Sequence, residues 1–177
     1  TIITGSLSDY NRVTDSWLFH SHTIVKVLDF VDENRFVPPN SKSEMKRYFG
    51  IKENKRVIFI GATYLNERRK GMKELQQALS KMLSKDVVLL IAGNSDFGDT
   101  PFVNKTVGFL SENDLIKAYQ SADVFVCPTL EDSGPLMINQ SIMCGTPVVA
   151  FEVGVAMDLV LTKITGYRAK FGNIDDL

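Results

Sequence analysis

Four short apolar runs organise the chain: V-I-F-I-G from Val57, V-V-L-L-I-A-G from Val87, D-V-F-V-C-P from Asp123 and T-P-V-V-A-F from Thr146. Each is continuous rather than alternating and rich in Val and Ile, the pattern of strands covered on both faces. Between them the period becomes helical. Over 71–84, Met72, Leu75, Leu79 and Met82 fall three or four apart and share one helical face. Over 111–121 the S-E-N-D opening supplies cap residues, and Leu115, Ala118 and Tyr119 form the buried stripe. A third helix is predicted from Pro135, whose ring suits a first turn, with Ser133 able to cap it. A polar helix over 43–49 and one more strand over 23–29 complete the pattern. Strands alternating with helices at this spacing predict an α/β domain with a parallel sheet and right-handed crossovers. Such sheets bind ligands outside the carboxyl ends of their strands. The loops after Ile60, Ile91, Val107, Cys127 and Ala150 are therefore the places to look for function.

Residues 1–30 read as a lead-in or linker, and 31–177 as the ligand-binding domain. Thr1 is not a methionine and Asp175-Asp176-Leu177 has the look of a helix beginning, so the chain reads as an excised piece of a longer protein, cut short at its C-terminus. A formal net charge of −1 argues against a partner bound by neutralising many phosphates, so no nucleic acid is expected. A small phosphorylated ligand held by a few local cations is compatible with it. Cys127 and Cys144 each sit in an apolar run and read as buried free thiols of a reducing compartment. With His20 and His22 they do not make a zinc site. No apolar run reaches 18 residues, and a cytoplasmic location is expected.

Two loops carry the chemistry. After the first core strand, Arg68, Arg69, Lys70 and Lys73 surround the start of a helix, with Gly71 allowing close backbone approach. Cations oppose the dipole at that end of a helix, and a phosphate between them would resolve the mismatch. A solvated basic turn is the alternative. The second loop, L-E-D-S-G-P-L-M-I-N-Q from Leu130, opens the Pro135 helix, and the amides of Gly134, Leu136 and Met137 would face an anion. Glu131 and Asp132 either stabilise that helix start or accept hydrogen bonds from ligand hydroxyls. Phosphate plus hydroxyls describes a nucleotide sugar. No G-x-G-x-x-G follows any strand, and there is neither a G-x-x-x-x-G-K-S/T loop nor a G-x-S-x-G elbow. The G-N-S-D-F-G from Gly93 has two glycines but no glycine-opened helix after it.

The run V-G-F-L-S-E-N-D-L-I-K-A-Y-Q-S-A-D-V-F-V-C-P-T-L-E-D-S-G-P, followed by M-C-G-T-P-V-V-A-F and V-G, resembles the C-terminal nucleotide-sugar-binding domain of retaining glycosyltransferases of family 4. The upstream R-R-K-G looks like that family's phosphate-binding turn, and the resemblance runs from about Ile24 to the end. It implies the C-terminal half of a GT-B fold, a Rossmann-like parallel sheet flanked by helices. Two acidic residues eight apart mark the family, and registering on Cys144-Gly145-Thr146-Pro147 places the first at Asp132, beside Glu131, and the second at Gln140. By resemblance, Asp132 and the nearby backbone amides face the transferred sugar and diphosphate, Lys70 and an arginine stabilise the departing diphosphate, and residue 140 holds the ribose. The chain departs from the pattern at Gln140, whose side-chain carbonyl can still accept from a hydroxyl, and at Ala62, where many relatives carry an arginine. Arg68 or Arg69 would take over that role. The base would lie against Gly108, Phe109 and Leu110, with Phe109 itself read as core rather than a stacking platform.

The resemblance also implies a nucleoside diphosphate sugar as substrate, with no cofactor and no metal, and a saccharide or lipid-linked acceptor held by a missing N-terminal domain. Polysaccharide or bacterial envelope synthesis, peripheral membrane association of the full-length enzyme, and no transfer by the fragment alone follow as expectations. A non-catalytic nucleotide-sugar-binding module and a GT-B-type sugar-nucleotide epimerase are the rival readings.

Overall fold

The computed structural model describes residues 1–82, 84–94 and 97–177. Ser95 and Asp96 of the G-N-S-D-F-G stretch, and Leu83 of the 71–84 segment, lie outside the described residues. The chain runs β1 (Ile2–Thr4), α1 (Leu7–Thr14), β2 (Ile24–Lys26), α2 (Lys42–Tyr48), β3 (Arg56–Gly61), a 3-10 turn (Arg68–Lys70), α3 (Met72–Ser80), β4 (Val87–Ala92), β5 (Val103–Gly108), α4 (Glu112–Ser121), β6 (Val124–Cys127), α5 (Leu136–Met143), β7 (Val148–Phe151), α6 (Ala156–Leu159) and β8 (Gly166–Ala169). Six of the strands form one parallel sheet in the order β5-β4-β3-β6-β7-β8. Connections on one side of β3 run outward to β4 and β5, and those from β6 run the other way. The doubly wound order thus reverses between β3 and β6, which is where such sheets open a crevice for ligands.

Alternation along each strand sends side chains to two separate cores. On β3, Val57 and Phe59 join one cluster while Ile58 and Ile60 join the other. The first cluster packs beneath α4 and α5, where Tyr119 meets Phe59 and Phe125 edge-on at 5.2 and 5.5 Å. The second is covered by α3 through Met72, Leu75 and Leu79. Cys127 and Cys144 are both buried and free, and burial pushes the Cys144 thiol up to about 12. That is the environment of an inert structural thiol.

Several expected details shift. The α3 pattern stops at Ser80, leaving Met82 outside the helix and 43% exposed. In α4 the buried face turns on Ile116 as well as Ala118 and Tyr119, with Leu115 only half buried. Ser111 caps α4 by accepting from Asp114 N–H at 3.2 Å, as its sequence suggests. Pro135, not Ser133, stands at the N-cap of α5, which has no side-chain capping bond. Strand β8 has no signature in the apolar pattern: G-Y-R-A lacks a continuous apolar run because it is the sheet's outer strand, and among the described residues β7 is the only strand it pairs with.

The strand expected over 23–29 shrinks to β2, which pairs in parallel with β1 in a separate two-stranded sheet. With α1 these strands make a small β-α-β unit. It is tied to the main domain by Asp158, which accepts from Leu7 N–H at 2.8 Å and pairs with Lys26. A second tie runs from the Asn139 amide to Asp29 O at 2.7 Å. Trp17 and Phe30 stand 87% and 93% exposed on this unit, with Ile3, Val25 and Val27 also uncovered.

One polar knot holds β3 to β6. Asp123 accepts from Val57 N–H at 2.8 Å and from the buried Lys46 at 2.9 Å, and Lys46 also donates to Lys55 O at 2.8 Å. Burial alone would raise the Asp123 carboxyl, but the bonds from Lys46 and Val57 and the charges of Lys42 and Lys46 outweigh it and hold it below the usual range. Because the folded value is depressed, this contribution is present above the unfolded carboxyl's pKa of about 3.9 and is lost as pH falls through the folded value. Asp123→Asn is expected to lower stability by about 2 kcal/mol at pH 7, the cost of stranding a buried ammonium, discounted because the Asp123 side chain is 35% exposed and Lys46 keeps one carbonyl. Urea unfolding should show the gap to the parent chain closing in acid; an equal gap at every pH would refute the linkage.

Candidate functional site

A trough runs along the carboxyl edge of the sheet where the loops after β3 and β6 face each other, and it has two compartments. The first, about 260 Å³, is lined by Thr63, Tyr64, Glu67, Arg69, Lys70, Thr129 and Asp132, with Cys127 and Pro128 among its other walls. The second, about 300 Å³, is lined by Gly93, Gly108, Phe109, Leu110, Leu115 and Gln140. Gly61, Ala62, Thr63, Leu136 and Met137 border both, so the two compartments adjoin.

Local chain geometry brings the cations to the first compartment. The 3-10 turn ends at Gly71, whose φ of 68° lies in the left-handed region, and α3 starts immediately after it. A Cβ at that position would stand 1.8 Å from the carbonyl oxygen of Pro128. Only glycine lets the turn lie directly on the loop leaving β6, and the Leu130 N–H then donates to Arg69 O at 2.8 Å. Lys70 consequently reaches Asp132, with Nζ 2.8 Å from Oδ2, while the Arg69 guanidinium lies 3.4 Å from the same oxygen. Arg69 is also held by Glu67 at 2.7 Å. The other carboxylate oxygen, Oδ1, accepts from Gly134 N–H at 3.3 Å, closing a turn just ahead of α5. On the far side, Gly154 after β7 has no room for a Cβ, which would meet Asp132 O at 2.5 Å. The Asp132 loop is thus clamped between its neighbours on both sides.

The candidate residues separate accordingly. Lys70, Arg69 and Asp132 come together, and Gly134, Leu136 and Met137 at the start of α5 line the same compartment. Arg68 does not join them: it turns outward to Glu74 at 2.8 Å and lines a different cleft beside Lys73 and Gln76. Successive residues of a 3-10 turn point about 120° apart, and this turn directs Arg69 and Lys70 to the trough and Arg68 to the other cleft. The Glu131 side chain is exposed and outside the trough's lining. Ser133 is exposed too and borders the groove of the β1-α1-β2 unit instead. Ala62 lines both compartments.

Gly108 and Phe109 line the second compartment together with Gln140. Phe109, expected in the core, is 62% exposed and forms part of the wall. It follows Gly108, whose φ of 65° turns the chain out of β5 and carries the next side chain away from the sheet. The Gln140 carbonyl, expected to accept from a ribose hydroxyl, already accepts from Tyr119 OH at 3.0 Å. Burial raises the Tyr119 pKa well above its ordinary value, so the hydroxyl keeps its proton and remains a donor. Asn139 faces away from the trough, toward Asp29. Tyr64, Glu67 and Tyr119 belong to the trough or its supports without being marked as site residues by the sequence. Of these only Glu67 leaves a trace there, as the acid heading E-R-R-K.

Among the described residues no group of three or more His, Cys, Asp or Glu is arranged to hold a metal ion, and no helix is long and apolar enough to cross a membrane.

The family described as Glycosyl transferases group 1 matches residues 54–177. An uncharacterized glycosyltransferase of Methanocaldococcus jannaschii is 30% identical over 138 residues, covering 71% of this chain and 34% of that protein. The N,N'-diacetylbacillosaminyl-diphospho-undecaprenol alpha-1,3-N-acetylgalactosaminyltransferase of Campylobacter jejuni is 24% identical over 155 residues, 83% of this chain and 41% of that one. The chain therefore spans less than half the length of these curated relatives. Among solved structures, sucrose-phosphate synthase from Thermosynechococcus elongatus superposes with a TM-score of 0.82 at 20% identity, covering 98% of this chain and 46% of that chain. Anabaena HepE in complex with UDP-glucose superposes with a TM-score of 0.77 at 19% identity, covering 98% and 50%. At these identities the structural likeness establishes the fold, the Rossmann-like C-terminal half of the GT-B architecture.

Proposed function

The chain belongs to the group 1 glycosyl transferases, and from that premise we propose that it is the donor-binding domain of an enzyme moving a sugar from a nucleoside diphosphate sugar to a saccharide or lipid-linked acceptor. The observation that carries this is the two-compartment trough: cations and a helix N-terminus at one end, an exposed aromatic wall at the other. The diphosphate lies in the first compartment against Lys70, Arg69 and the amides opening α5, which stabilise the charge that develops as it departs. The nucleoside extends into the second, its base on Phe109 and its ribose toward Gln140. Asp132 faces the hydroxyls of the transferred sugar, and the anomeric configuration is retained. Lys70 and Arg69 meet the diphosphate's charge in place of a metal.

The acceptor belongs to a further domain. The exposed Ile3, Trp17, Val25 and Phe30 support this, because a two-stranded parallel sheet ordinarily lies inside a larger one. On this reading residues 1–177 bind donor but transfer nothing alone. The lipid-linked acceptor named for the Campylobacter relative and the UDP-glucose held by HepE support the two substrate classes. Such an acceptor implies polysaccharide or envelope synthesis at the cytoplasmic face of a membrane, with peripheral association of the full-length enzyme. Gln140 and Ala62 favour one rival, a binding module without catalysis. Transfer by the full-length enzyme, lost in Asp132→Asn, would exclude that rival.

The direct test is a thermal-shift panel of nucleoside diphosphates and their sugars. A ligand at a hundred times its Kd stabilises the folded state by about 2.7 kcal/mol, a rise of roughly 5 to 10 °C for a chain this size. If no nucleoside diphosphate raises Tm, the assignment fails. Phe109→Ala should weaken the best nucleotide by about tenfold, as loss of a base-stacking ring does, and leave inorganic pyrophosphate unaffected. Equal losses for both ligands would remove the base from that wall.

A further inference from the structure

We propose that Asp132 is the specificity-determining residue of the phosphate seat because, before any ligand arrives, its own carboxylate occupies that seat. The proposal rests on reading the first compartment as the diphosphate site. Asp132 Oδ2 takes Lys70 at 2.8 Å and Arg69 at 3.4 Å, while Oδ1 takes Gly134 N–H at 3.3 Å. Two cations and a backbone N–H ahead of a helix N-terminus are the donor set a phosphate requires. Here a side chain of the same chain already satisfies it.

The balance of charge points the same way. Lys70 and Arg69 are opposed by Asp132 and by Glu67, which holds Arg69 at 2.7 Å, so two positive groups face two negative ones. The unliganded seat is therefore close to neutral and offers little net attraction to a weak anion. Lys70 and Asp132 are also largely shielded, at 18% and 16% exposed, so their attraction is less screened than that of a surface pair. A ligand must displace Asp132 to reach Lys70. A single carboxylate, or a phosphate of about −1.5 to −2, gains little by the exchange. A diphosphate brings further charge and a second set of oxygens that can engage Lys70 and Arg69 together. The displaced carboxylate is repelled by the phosphates and left to accept from the hydroxyls of the donor sugar. One residue thus rejects weakly charged anions in the empty site and faces sugar in the filled one.

The proposal is tested by calorimetric titration of the chain with inorganic phosphate and inorganic pyrophosphate, probes that carry no base. The parent chain should bind pyrophosphate at least about tenfold more tightly than phosphate. Asp132→Asn, which keeps an acceptor for Gly134 N–H, should bind pyrophosphate about tenfold more tightly than the parent, the equivalent of about 1.4 kcal/mol. Adding Lys70→Ala should abolish the gain. Glu152→Gln, which removes an exposed carboxylate just past β7 at the same edge of the sheet, should change affinity less than twofold. An equal gain from Glu152→Gln, an unchanged or weaker affinity in Asp132→Asn, or no pyrophosphate binding by either protein would overturn the proposal. If Asp132→Asn does not fold, Asp132→Ser takes its place in the same comparison. A pyrophosphate gain with no nucleoside diphosphate bound would sink the donor-binding reading and leave this one standing. Tight nucleoside diphosphate binding without the gain would do the reverse.

Discussion

Gly71→Ala is expected to cost the chain about 3 kcal/mol or more of stability and its nucleotide binding together. The added Cβ would sit 1.8 Å from Pro128 O and 2.8 Å from Pro128 C, and both are backbone atoms that no rotamer change can clear. The residue also holds φ at 68°, which an L side chain adopts at a further cost. The strain has one outlet: the 3-10 turn lifts off the loop leaving β6, breaking the Leu130-to-Arg69 backbone bond and carrying Lys70 away from Asp132. Denaturant unfolding should record the stability loss, and calorimetry a drop in nucleoside diphosphate affinity of about a hundredfold or more, since both cations lose their alignment. Near-parental affinity in a folded Gly71→Ala chain would show that the close approach does not position the site.

Lys70→Ala should separate binding from folding. Lys70 is the better placed of the two trough cations, and losing a charge-assisted bond to a phosphate is worth about 1.5 to 3 kcal/mol, roughly ten- to a hundredfold in affinity. Stability should barely move, because Asp132 retains Arg69 and Gly134 N–H. In a full-length enzyme transfer should fall further, by about a hundred- to a thousandfold, as it does when one preorganised donor to a departing group is removed. Lys73→Ala supplies the control: Lys73 is exposed and lines the outer cleft with Arg68. Equal losses from Lys70→Ala and Lys73→Ala would mean that the basic turn acts only through its general charge.

Both predictions depend on features of unequal visibility in the sequence. The basic turn, its glycine and the E-D-S-G-P loop are local patterns, and residue type alone assigns each to the end of a strand. The division of labour between Arg68 and Arg69 is not legible in this way, because neighbouring residues of similar chemistry differ only in the direction the turn gives them. Phe109 misleads for a related reason. Its neighbours Val107 and Leu110 pack against the core, but the positive φ at Gly108 takes Phe109 out of the strand's alternation. The Gln140 amide shows its hydrogen-bonding capacity in the sequence, whereas its engagement with Tyr119, 21 residues earlier on another helix, is a product of packing. Strand β8 and the β1-β2 pair are obscure because outer and very short strands lack the continuous apolar run that marks an inner one.

The parallel α/β sheet, the strand-end loops that carry the candidate residues and the likeness to glycosyltransferases are all written in the amino-acid order. Each rests on residue type at close spacing, which sets local conformation and the face to be buried. Which charges meet is settled by the packed fold alone. Lys70 and Asp132 are 62 residues apart, and their contact exists because a glycine lets one backbone rest on another. Ion pairs depend on the inverse of distance, and distance between remote residues is set only when the layers of the fold have packed.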